Sequence, residues 1–286
     1  MSNIQINNGH SKITDNYFLF PAGEVGVKLD TQNLAFWKNP SDTFTIEARV
    51  QNSNDLFRIA LVKDAIERMV GYGHKINLFM PYVAYARQDR VCVAGEPHSL
   101  KVFCDYINGL NFNEVKVVDP HSLVTEALLN KVKIVSQLSL FQNNQELKRF
   151  VFNNAPIFVS PDSGANKKTS EIAAYFQHKN FIRCDKLREL STGKIKETIV
   201  YCDDLLGLDV MIVDDIIDGG ATFTFLAKEL KKKKCGKIYL FATHGIFSKG
   251  VGALLDCGID HIWTTNSYQE RPLGNYDANK INIIDL

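Results

Sequence analysis

Three aspartates and two glycines are concentrated in one stretch of the sequence, VMIVDDIIDGGATF (210–223). The apolar run Val210–Val213 predicts a buried parallel strand, so Asp214 and Asp215 should lie at its carboxyl end, where open α/β sheets bind ligands. A tight turn into a helix is predicted for the residues that follow: Asp218, Gly219, Gly220, Ala221 and Thr222. Glycines let backbone N–H groups point inward, and a helix N-terminus carries partial positive charge. This turn therefore suits a phosphate group.

The adjacent carboxylates of Asp214 and Asp215 suit a sugar diol, a metal ion, or both, because each can accept hydrogen bonds from neighbouring hydroxyls. An acidic N-cap cluster on an ordinary strand-to-helix turn would have the same spacing. The spacing alone leaves a ligand site and a structural cap as alternatives.

Composition limits the classes of partner. The chain has 286 residues, with 33 basic and 32 acidic side chains and a net charge of +1, so bulk attraction to nucleic acid or a membrane surface is not indicated. The six cysteines are scattered without a C-x-x-C pair, which favours structural thiols in a reduced compartment over disulfides or a zinc site. The N-terminal stretch is polar, so we expect no secretory signal. The sequence has no run of about 20 apolar residues, so we expect no membrane helix. We expect a cytoplasmic protein with no nucleic-acid or membrane partner.

Short apolar runs alternate with stretches of helical period, which predicts an α/β protein with largely parallel sheets. Strands are predicted at 75–81, 115–119, 157–160, 210–213, 238–242 and 262–265, and helices at 54–71, 97–110, 166–178, 222–234 and 249–257. The polar stretch 141–154, with a possible short helix, separates two halves. We place the boundary near residue 147, which predicts domains 1–146 and 147–286.

The stretch 210–223 resembles the ribose 5-phosphate loop of phosphoribosyltransferases. The usual form of that loop is two acidic residues, two other residues, and then D-T-G-G-T. Several further motifs occur in a fixed order: FPAGEVGVKL (20–29), PYVAYARQDR (81–90), GEPHSLK (95–101), VVDPHS (117–122), VSPDSGANK (159–167), FATHGIFSKG (241–250) and GIDHIWTTNS (258–267). Together they resemble, over nearly the full length, the ribose-phosphate diphosphokinases, also called phosphoribosyl pyrophosphate synthetases.

This resemblance implies two tandem phosphoribosyltransferase-type domains, each a mainly parallel sheet flanked by helices. Residues 1–146 would bind ATP and serve assembly, and residues 147–286 would bind the ribose phosphate. The implied reaction transfers the β,γ-diphosphoryl group of ATP to the anomeric hydroxyl of ribose 5-phosphate and releases AMP. Such transfer depends on charge neutralisation and in-line positioning.

The resemblance also implies roles for particular residues. Those matching ATP-binding positions are Phe20, Glu24, Arg87, Gln88 and His121, and those matching ribose-phosphate-binding positions are Asp214, Asp215, Asp218, Gly219, Gly220, Ala221 and Thr222. His121 and Asp162 match magnesium-associated positions. Lys186 and Arg188 match the cations of the catalytic loop, which stabilise the transferring group. The residues alone also allow ordinary structural roles. Phe20 could be a core aromatic, Glu24 a solvent-facing acid and Arg87 a member of a surface ion pair. Lys186 and Arg188 could be solvated charges.

The chain departs from the family pattern at several points. Gly219 stands where threonine is usual, Ala221 where glycine is usual, and Ala22 and Gly95 where aspartate and arginine are common. LVTEALLNK (123–131) replaces a glutamine-rich and aromatic run implicated in assembly and regulation. We expect a homo-oligomer, dimer or hexamer, because the adenine-binding pair often serves a neighbouring subunit.

The more open loop at Gly219 motivates a second acceptor hypothesis. Ribose carrying a larger 5-phosphoryl group, such as ADP-ribose, would give ADP-ribose 1-pyrophosphate and connect the enzyme with NAD metabolism. Two further alternatives are a phosphoribosyltransferase, which would leave the RQDR, DPHS and SPD motifs unexplained, and a non-catalytic regulatory homologue. Retention of Lys186, Arg188, His121 and Asp162 favours an active enzyme.

Overall fold

The computed structural model describes residues 4–8, 12–30, 42–178, 180–188, 195–269 and 277–286. The chain divides into two compact units, Met1–Val135 and Ser136–Leu286. In each, the described strands form one seven-stranded sheet accompanied by helices. Parallel strands predominate around the sites below, which confirms the predicted α/β class.

The first unit begins with an antiparallel meander and continues with parallel strand-helix units. Its elements are β1 (Ile4–Asn7), β2 (Lys12–Leu19), β3 (Val25–Leu29), β4 (Thr43–Ala48), α1 (Ser53–Val70), β5 (Lys75–Met80), α2 (Ser99–Gly109), β6 (Val115–Val118), α3 (Val124–Leu128) and β7 (Val132–Val135). The strand order is β3-β2-β1-β4-β5-β6-β7. The strands from β4 to β7 are parallel, whereas β1 pairs antiparallel with both β2 and β4. The sequence predicted β5, β6, α1 and α2 but not the meander.

Local signals explain why α1 forms where it does. The Asn52 side chain accepts a hydrogen bond from the Asp55 N–H at 3.0 Å, and Gly71, with φ of 98°, ends the helix. A buried ion pair between Arg58 of α1 and Asp15 of β2 ties the hairpin to this helix. The Arg58 guanidinium also lies 4.8 Å from the centre of the Tyr17 ring.

The second unit is a parallel sheet with one antiparallel edge. Its elements are α4 (Gln137–Asn143), α5 (Gln145–Asn154), β8 (Ile157–Ser160), α6 (Asn166–Tyr175), β9 (Ile182–Arg188), β10 (Ile195–Val200), β11 (Val210–Ile217), α7 (Ala221–Lys232), β12 (Ile238–Gly245), α8 (Gly252–Asp256), β13 (His261–Thr265), a 3₁₀ turn (Ala278–Lys280) and β14 (Ile281–Ile284). The strand order is β10-β9-β8-β11-β12-β13-β14, with β9 and β10 antiparallel.

The central strands β11 and β12 are apolar on both faces because helical layers cover them. Phe141 of α4 packs against Phe158 and Phe241 on one face, with ring centres 6.4 and 4.5 Å away. On the other face, Leu226 and Leu230 of α7 join the core cluster. This double burial fixes the strands whose carboxyl ends carry the acidic residues.

Three sequence predictions need correction. Strand β11 continues to Ile217, so Asp214 and Asp215 lie within the strand and not after it. The polar stretch 141–154 contains the end of α4 and the whole of α5, and the compact units divide between Val135 and Ser136, earlier than residues 146 and 147. Helix α8 covers only Gly252–Asp256. None of the helices in the described ranges combines the length and apolar character needed to cross a bilayer.

Candidate active site

Asp214 and Asp215, the acidic pair, lie where β11 extends beyond the end of its neighbour β8. Pairing of β11 with β8 ends at Ile212 and Val159, whereas pairing with β12 continues through Asp214 and Ala242. The two aspartates therefore extend past the end of one adjacent strand while the other still holds their backbone. A crevice beyond the carboxyl ends of parallel strands is the usual ligand position in such sheets.

The two carboxylates lie in different electrostatic surroundings. Burial raises the pKa of Asp214 well above its usual range, and the charge of Asp215 raises it further, while Lys186 opposes both effects. Asp215 is 8% exposed, and its Oδ2 lies 3.4 Å from the Lys168 ammonium. The Asp215 N–H also donates to Asp214 Oδ1 at 2.9 Å. A pair that resists full ionisation is suited to binding hydroxyl groups or a cation, each of which offsets its charge.

Lys186 is held at this acidic pair by strand pairing. It was predicted on a polar loop, but it lies on β9, opposite Thr198 of β10. Its side chain is 9% exposed, with the ammonium 2.6 Å from Asp162 Oδ2 and 3.5 Å from Thr222 Oγ1. Arg188 is the last residue of β9, and its side chain lies outside the described residues.

Asp162 joins this group from the loop after β8. Its Oδ1 accepts a hydrogen bond from the Ala165 N–H at 3.1 Å, while its backbone oxygen accepts one from Ser160 Oγ at 2.8 Å. These contacts fix the orientation of the carboxylate, whose Oδ2 faces Lys186. The second unit thus brings together three acids and two lysines: Asp162, Asp214, Asp215, Lys168 and Lys186.

The predicted phosphate turn covers Asp218–Gly220, and Ala221 and Thr222 are the first residues of α7. Gly220 has φ of 78°, and a Cβ there would lie 3.0 Å from Leu254 Cδ2. Its carbonyl accepts hydrogen bonds from the Phe223 and Thr224 N–H groups, at 3.1 and 3.0 Å. The earlier N–H groups of such a helix have no partner within the helix, so they can bind an anion.

Two side chains next to the acidic pair were missed by the sequence analysis. Lys168 contacts Asp215, as described above, from α6. Gln137 of α4, 2% exposed, donates from Nε2 to the Asp214 backbone oxygen at 2.6 Å and to Thr243 Oγ1 at 3.2 Å. Lys168 does lie in the SPDSGANKK segment, but no linear pattern connects Gln137 with Asp214.

His244, in the motif FATHGIFSKG (241–250), is buried near the end of β12. It is 1% exposed, and its Nδ1 lies 2.8 Å from Ser267 Oγ. Ser267 in turn donates to the Thr243 backbone oxygen at 3.1 Å. These contacts join β12 to the segment after β13.

In the first unit, the RQDR and DPHS segments meet at the ends of β5 and β6. A hydrogen bond from Arg90 lowers the pKa of Asp89 to about 2, and a hydrogen bond from Ser122 and the charge of His121 lower it as well. Gln88 accepts a hydrogen bond from the Leu100 N–H at 3.2 Å through its backbone oxygen. Arg87, Gln88 and His121 are all exposed at this edge, which suits contact with a polyphosphate.

Phe20 and Glu24 lie elsewhere in the first unit, at the turn between β2 and β3. The turn is closed by hydrogen bonds of 2.8 Å from the Phe20 N–H to the Glu24 oxygen and from the Gly23 N–H to the Phe20 oxygen. Phe20 is 50% exposed and contacts Phe18 edge to face, 5.0 Å between ring centres. Strands β1 and β4 separate this hairpin from β5 in the sheet. The fold of this unit therefore does not bring Phe20 and Glu24 to Arg87 within one chain.

The two predicted magnesium residues belong to different units, His121 to the first and Asp162 to the second. The described residues contain no cluster of three or more His, Cys, Asp or Glu side chains arranged for a metal ion. Oxygen ligands are nevertheless present at Asp162 and Asp215, and magnesium commonly uses one or two carboxylates together with substrate phosphates. The residues fit a magnesium ion delivered with a phosphorylated substrate.

The cysteines do not contribute to this chemistry. All six are free thiols, and burial raises the pKa of Cys184, beside Lys186 in the chain, to about 12. A thiol with such a pKa stays protonated and unreactive near neutral pH. This agrees with structural thiols.

Comparisons with known proteins agree on one family. The family model described as phosphoribosyl synthetase-associated domain matches residues 165–286. A ribose-phosphate pyrophosphokinase of Pyrococcus furiosus is 30% identical over 258 residues, which cover 87% of this chain and 84% of that protein. One from Pasteurella multocida is 28% identical over 271 residues, covering 93% and 82%.

Among solved structures, the phosphoribosylpyrophosphate synthetase of Mycobacterium smegmatis superposes with a TM-score of 0.75 at 18% identity, covering 96% of this chain and 86% of that one. This likeness shows a shared fold. The identity to the Pyrococcus furiosus protein over most of both chains decides the family. The resemblance inferred from the ordered motifs is thereby confirmed, and the chain belongs to the ribose-phosphate pyrophosphokinase family of diphosphotransferase enzymes.

Proposed function

We propose that the protein transfers the β,γ-diphosphoryl group of ATP to the anomeric 1-hydroxyl of ribose 5-phosphate, releasing AMP and forming phosphoribosyl pyrophosphate for nucleotide biosynthesis. Its similarity to proteins named ribose-phosphate pyrophosphokinase supports this reaction. The single observation that carries it is the arrangement in the second unit, where Lys186 pairs with Asp162 at 2.6 Å beside the acidic pair and the glycine turn. One end of this arrangement suits a sugar phosphate, and the other a transferring phosphoryl group.

The acceptor sugar is oriented by the acidic pair and the turn. Asp214 and Asp215 accept hydrogen bonds from adjacent ribose hydroxyls, and the residues from Asp218 to Thr222 bind the 5-phosphate through backbone N–H groups and the Thr222 hydroxyl. The raised pKa of Asp214 lets its carboxyl group share or accept a proton near the sugar. The anomeric oxygen then attacks the β-phosphorus, the new oxygen–phosphorus bond forms, and the bond to the α-phosphate oxygen breaks.

Lys186 stabilises the charge that develops on the transferring group, because a fixed cation in a poorly solvated site acts strongly on a transition state. Arg188 keeps its predicted role at the same group, and its side chain lies outside the described residues. Phe20, Glu24, Arg87 and Gln88 bind ATP, and Arg87 and Gln88 are exposed in the segment that follows β5. Asp162 would help to hold magnesium, which would neutralise phosphate charge when bound. His121 keeps its predicted magnesium-associated role at the ATP phosphates. We also propose a cytoplasmic, homo-oligomeric enzyme, in keeping with its free thiols and exposed hairpin.

The lack of a side chain at position 219 is the reason for a second acceptor hypothesis. Gly219 has no side chain where the family usually has threonine, and a Cβ there would meet only ordinary contacts with Lys249 and Ser248, at 3.5 Å or more. Ribose with a larger 5-phosphoryl group, such as ADP-ribose, is therefore the alternative acceptor for the same chemistry, with a link to NAD metabolism.

The test is a product assay with ATP and Mg²⁺, comparing ribose 5-phosphate with ADP-ribose at matched concentrations and no nucleobase. We expect AMP release and a 1-pyrophosphate product with ribose 5-phosphate at the higher kcat/KM. Exclusive use of ADP-ribose would replace the first acceptor by the second. Absence of AMP with either acceptor, together with pyrophosphate release from phosphoribosyl pyrophosphate and a nucleobase, would indicate a phosphoribosyltransferase instead. Absence of both activities would leave the regulatory-homologue hypothesis.

A further inference from the structure

A short turn after β12 is anchored to the end of β11, directly before the phosphate turn. The N–H groups of Ile246 and Phe247 both donate to the Ile217 backbone oxygen, at 2.8 and 3.2 Å. Phe247 has φ of 50° and is 4% exposed, so its side chain is buried while its backbone reverses direction. The Gly250 N–H closes the turn on the Phe247 oxygen at 2.8 Å. Ser248 and Lys249 form its exposed tip.

This anchoring places the Lys249 side chain against Gly219. A Cβ built on Gly219 would lie 3.5 Å from Lys249 Cε and 3.6 Å from Lys249 Cδ, which is van der Waals contact. The lysine stem therefore occupies space beside the position where the family usually has a threonine side chain. Its ammonium is one bond beyond Cε, and within the described part of the chain it forms no salt bridge.

We propose that Lys249 is a specificity-determining residue that binds the 5-phosphate of the acceptor in place of the missing threonine hydroxyl at position 219. This inference rests on the proposed function, since it assigns a residue to the phosphate end of that acceptor site. The ammonium and the first N–H groups of α7 act on the same anion, one as a mobile cation and the others as fixed donors.

A lysine at this point selects the form of the phosphate. A terminal phosphate monoester carries up to two negative charges on three free oxygens, so it gains most from an added cation. An acceptor that continues past the 5-phosphate, such as ADP-ribose, must displace the Lys249 stem from its contact with Gly219. Lys249 therefore favours ribose 5-phosphate and limits use of the larger acceptor.

The test compares the wild-type enzyme with Lys249→Met, which keeps the length of the stem without its charge, and with Lys249→Arg, which keeps the charge. Lys237→Met is the matched control, because Lys237 precedes β12 at the strand end opposite Lys249. Steady-state assays give kcat and KM for ribose 5-phosphate, ADP-ribose and ATP. Calorimetric binding of ribose 5-phosphate supplies a readout that does not require turnover.

For Lys249→Met we expect the KM and the dissociation constant for ribose 5-phosphate to rise about 10- to 100-fold, as for loss of one charge-assisted hydrogen bond. The KM for ATP should stay within about twofold, Lys249→Arg should recover most of the affinity, and the preference for ribose 5-phosphate over ADP-ribose should shrink. Lys237→Met should match the wild type.

Equal affinity of the wild type and Lys249→Met for ribose 5-phosphate would overturn the inference, whatever the activity. An equal loss with Lys237→Met, or a fall in kcat with unchanged KM, would also overturn it, because neither is an effect of the phosphate end. If the wild type binds ribose 5-phosphate but releases no AMP, the proposed reaction fails while the affinity comparison still decides the role of Lys249.

Discussion

Asp214 is the residue at which binding chemistry and folding stability conflict. It lies in a strand covered on both faces, next to Asp215, and its carboxyl group is partly removed from water. Burial and the neighbouring charge both raise its pKa, so ionisation of Asp214 destabilises the folded protein. Such strain is common where a site must bind a polar ligand strongly. Lys186 offsets it only in part.

This conflict predicts an unusual effect of Asp214→Asn. Between the ordinary aspartate pKa and the raised pKa, the folded protein binds a proton that the unfolded chain has released, so stability falls as pH rises through that window. Above the window the wild type carries the full penalty and the asparagine variant does not. We expect Asp214→Asn to have the higher Tm at neutral pH, with the difference shrinking as pH falls, while AMP production is lost.

Thermal unfolding followed by circular dichroism across the pH series measures this difference. Asp203→Asn, at an exposed aspartate of the segment between β10 and β11, is the matched control and should show no such pH-dependent gain. A Tm difference for Asp214→Asn that grows as pH falls would contradict the burial argument.

At the scale of elements, the connection from β11 to α7 depends on one glycine for two independent reasons. Gly220 adopts a left-handed conformation, and it lies against Leu254 of α8 so closely that a methyl group would meet Cδ2 at 3.0 Å. The turn thereby joins the phosphate-binding end of α7 to the packing of α8. Gly219 meets neither constraint, so we expect a substitution there to change ligand binding more than folding.

We therefore expect Gly220→Ala to lower the free energy of unfolding by about 1–3 kcal/mol through backbone strain and the Leu254 contact, and to raise the KM for ribose 5-phosphate. Denaturant unfolding and steady-state kinetics measure the two effects. Gly252→Ala is the matched control, because Gly252 begins α8 and a Cβ there would meet open space. This substitution should leave the free energy of unfolding unchanged or raise it by up to about 1 kcal/mol. Equal losses in both variants would show that the special geometry of Gly220 is unimportant.

For the whole molecule, the distribution of predicted ATP-binding residues is informative. Phe20 and Glu24 lie on a hairpin at one edge of the first sheet, and Arg87 and Gln88 follow β5, with β1 and β4 between. Contiguous exposed aromatic and aliphatic residues of this hairpin, Tyr17, Phe18, Leu19 and Phe20, suit a protein contact. An adenine pocket completed by the hairpin of another subunit reconciles these placements with the proposed oligomer.

Complementation tests this arrangement. A Phe20→Ala/Glu24→Ala variant and a Lys186→Ala variant should each lose most activity, the second by orders of magnitude in kcat because a fixed cation at the transferring group is removed. Coexpression with separate affinity tags, followed by purification through both tags, should restore part of the AMP production. Activity of the mixed oligomer no greater than the average of the two variants would place each complete site within one chain.

Much of the fold was predictable because its central elements carry strong local signals. β8 has the predicted bounds Ile157–Ser160, and α1 begins and ends within one residue of its predicted limits because Asn52 and Gly71 mark its termini. The meander of β1 to β3 was missed because polar and apolar residues are mixed along most of β2 and β3, and the apolar run at 17–20 is exposed. The domain boundary was placed too late because the polar stretch 141–154 was interpreted as the separator of the two halves, whereas α4 and α5 both belong to the second unit.

By itself, the sequence determined the family and with it the type of chemistry, because several motifs occur together in a fixed order along the chain. The spacing from Asp214 to Thr222 alone left a structural cap as an alternative. Only the tertiary structure decided which distant side chains serve that stretch. Lys186 reaches Asp162 through the place of β9 beside β8, and Lys249 reaches Gly219 because its turn is bound to the end of β11. Strand order and register create these contacts by joining segments far apart in the chain, and the local periodicity of one segment does not reveal its strand partner.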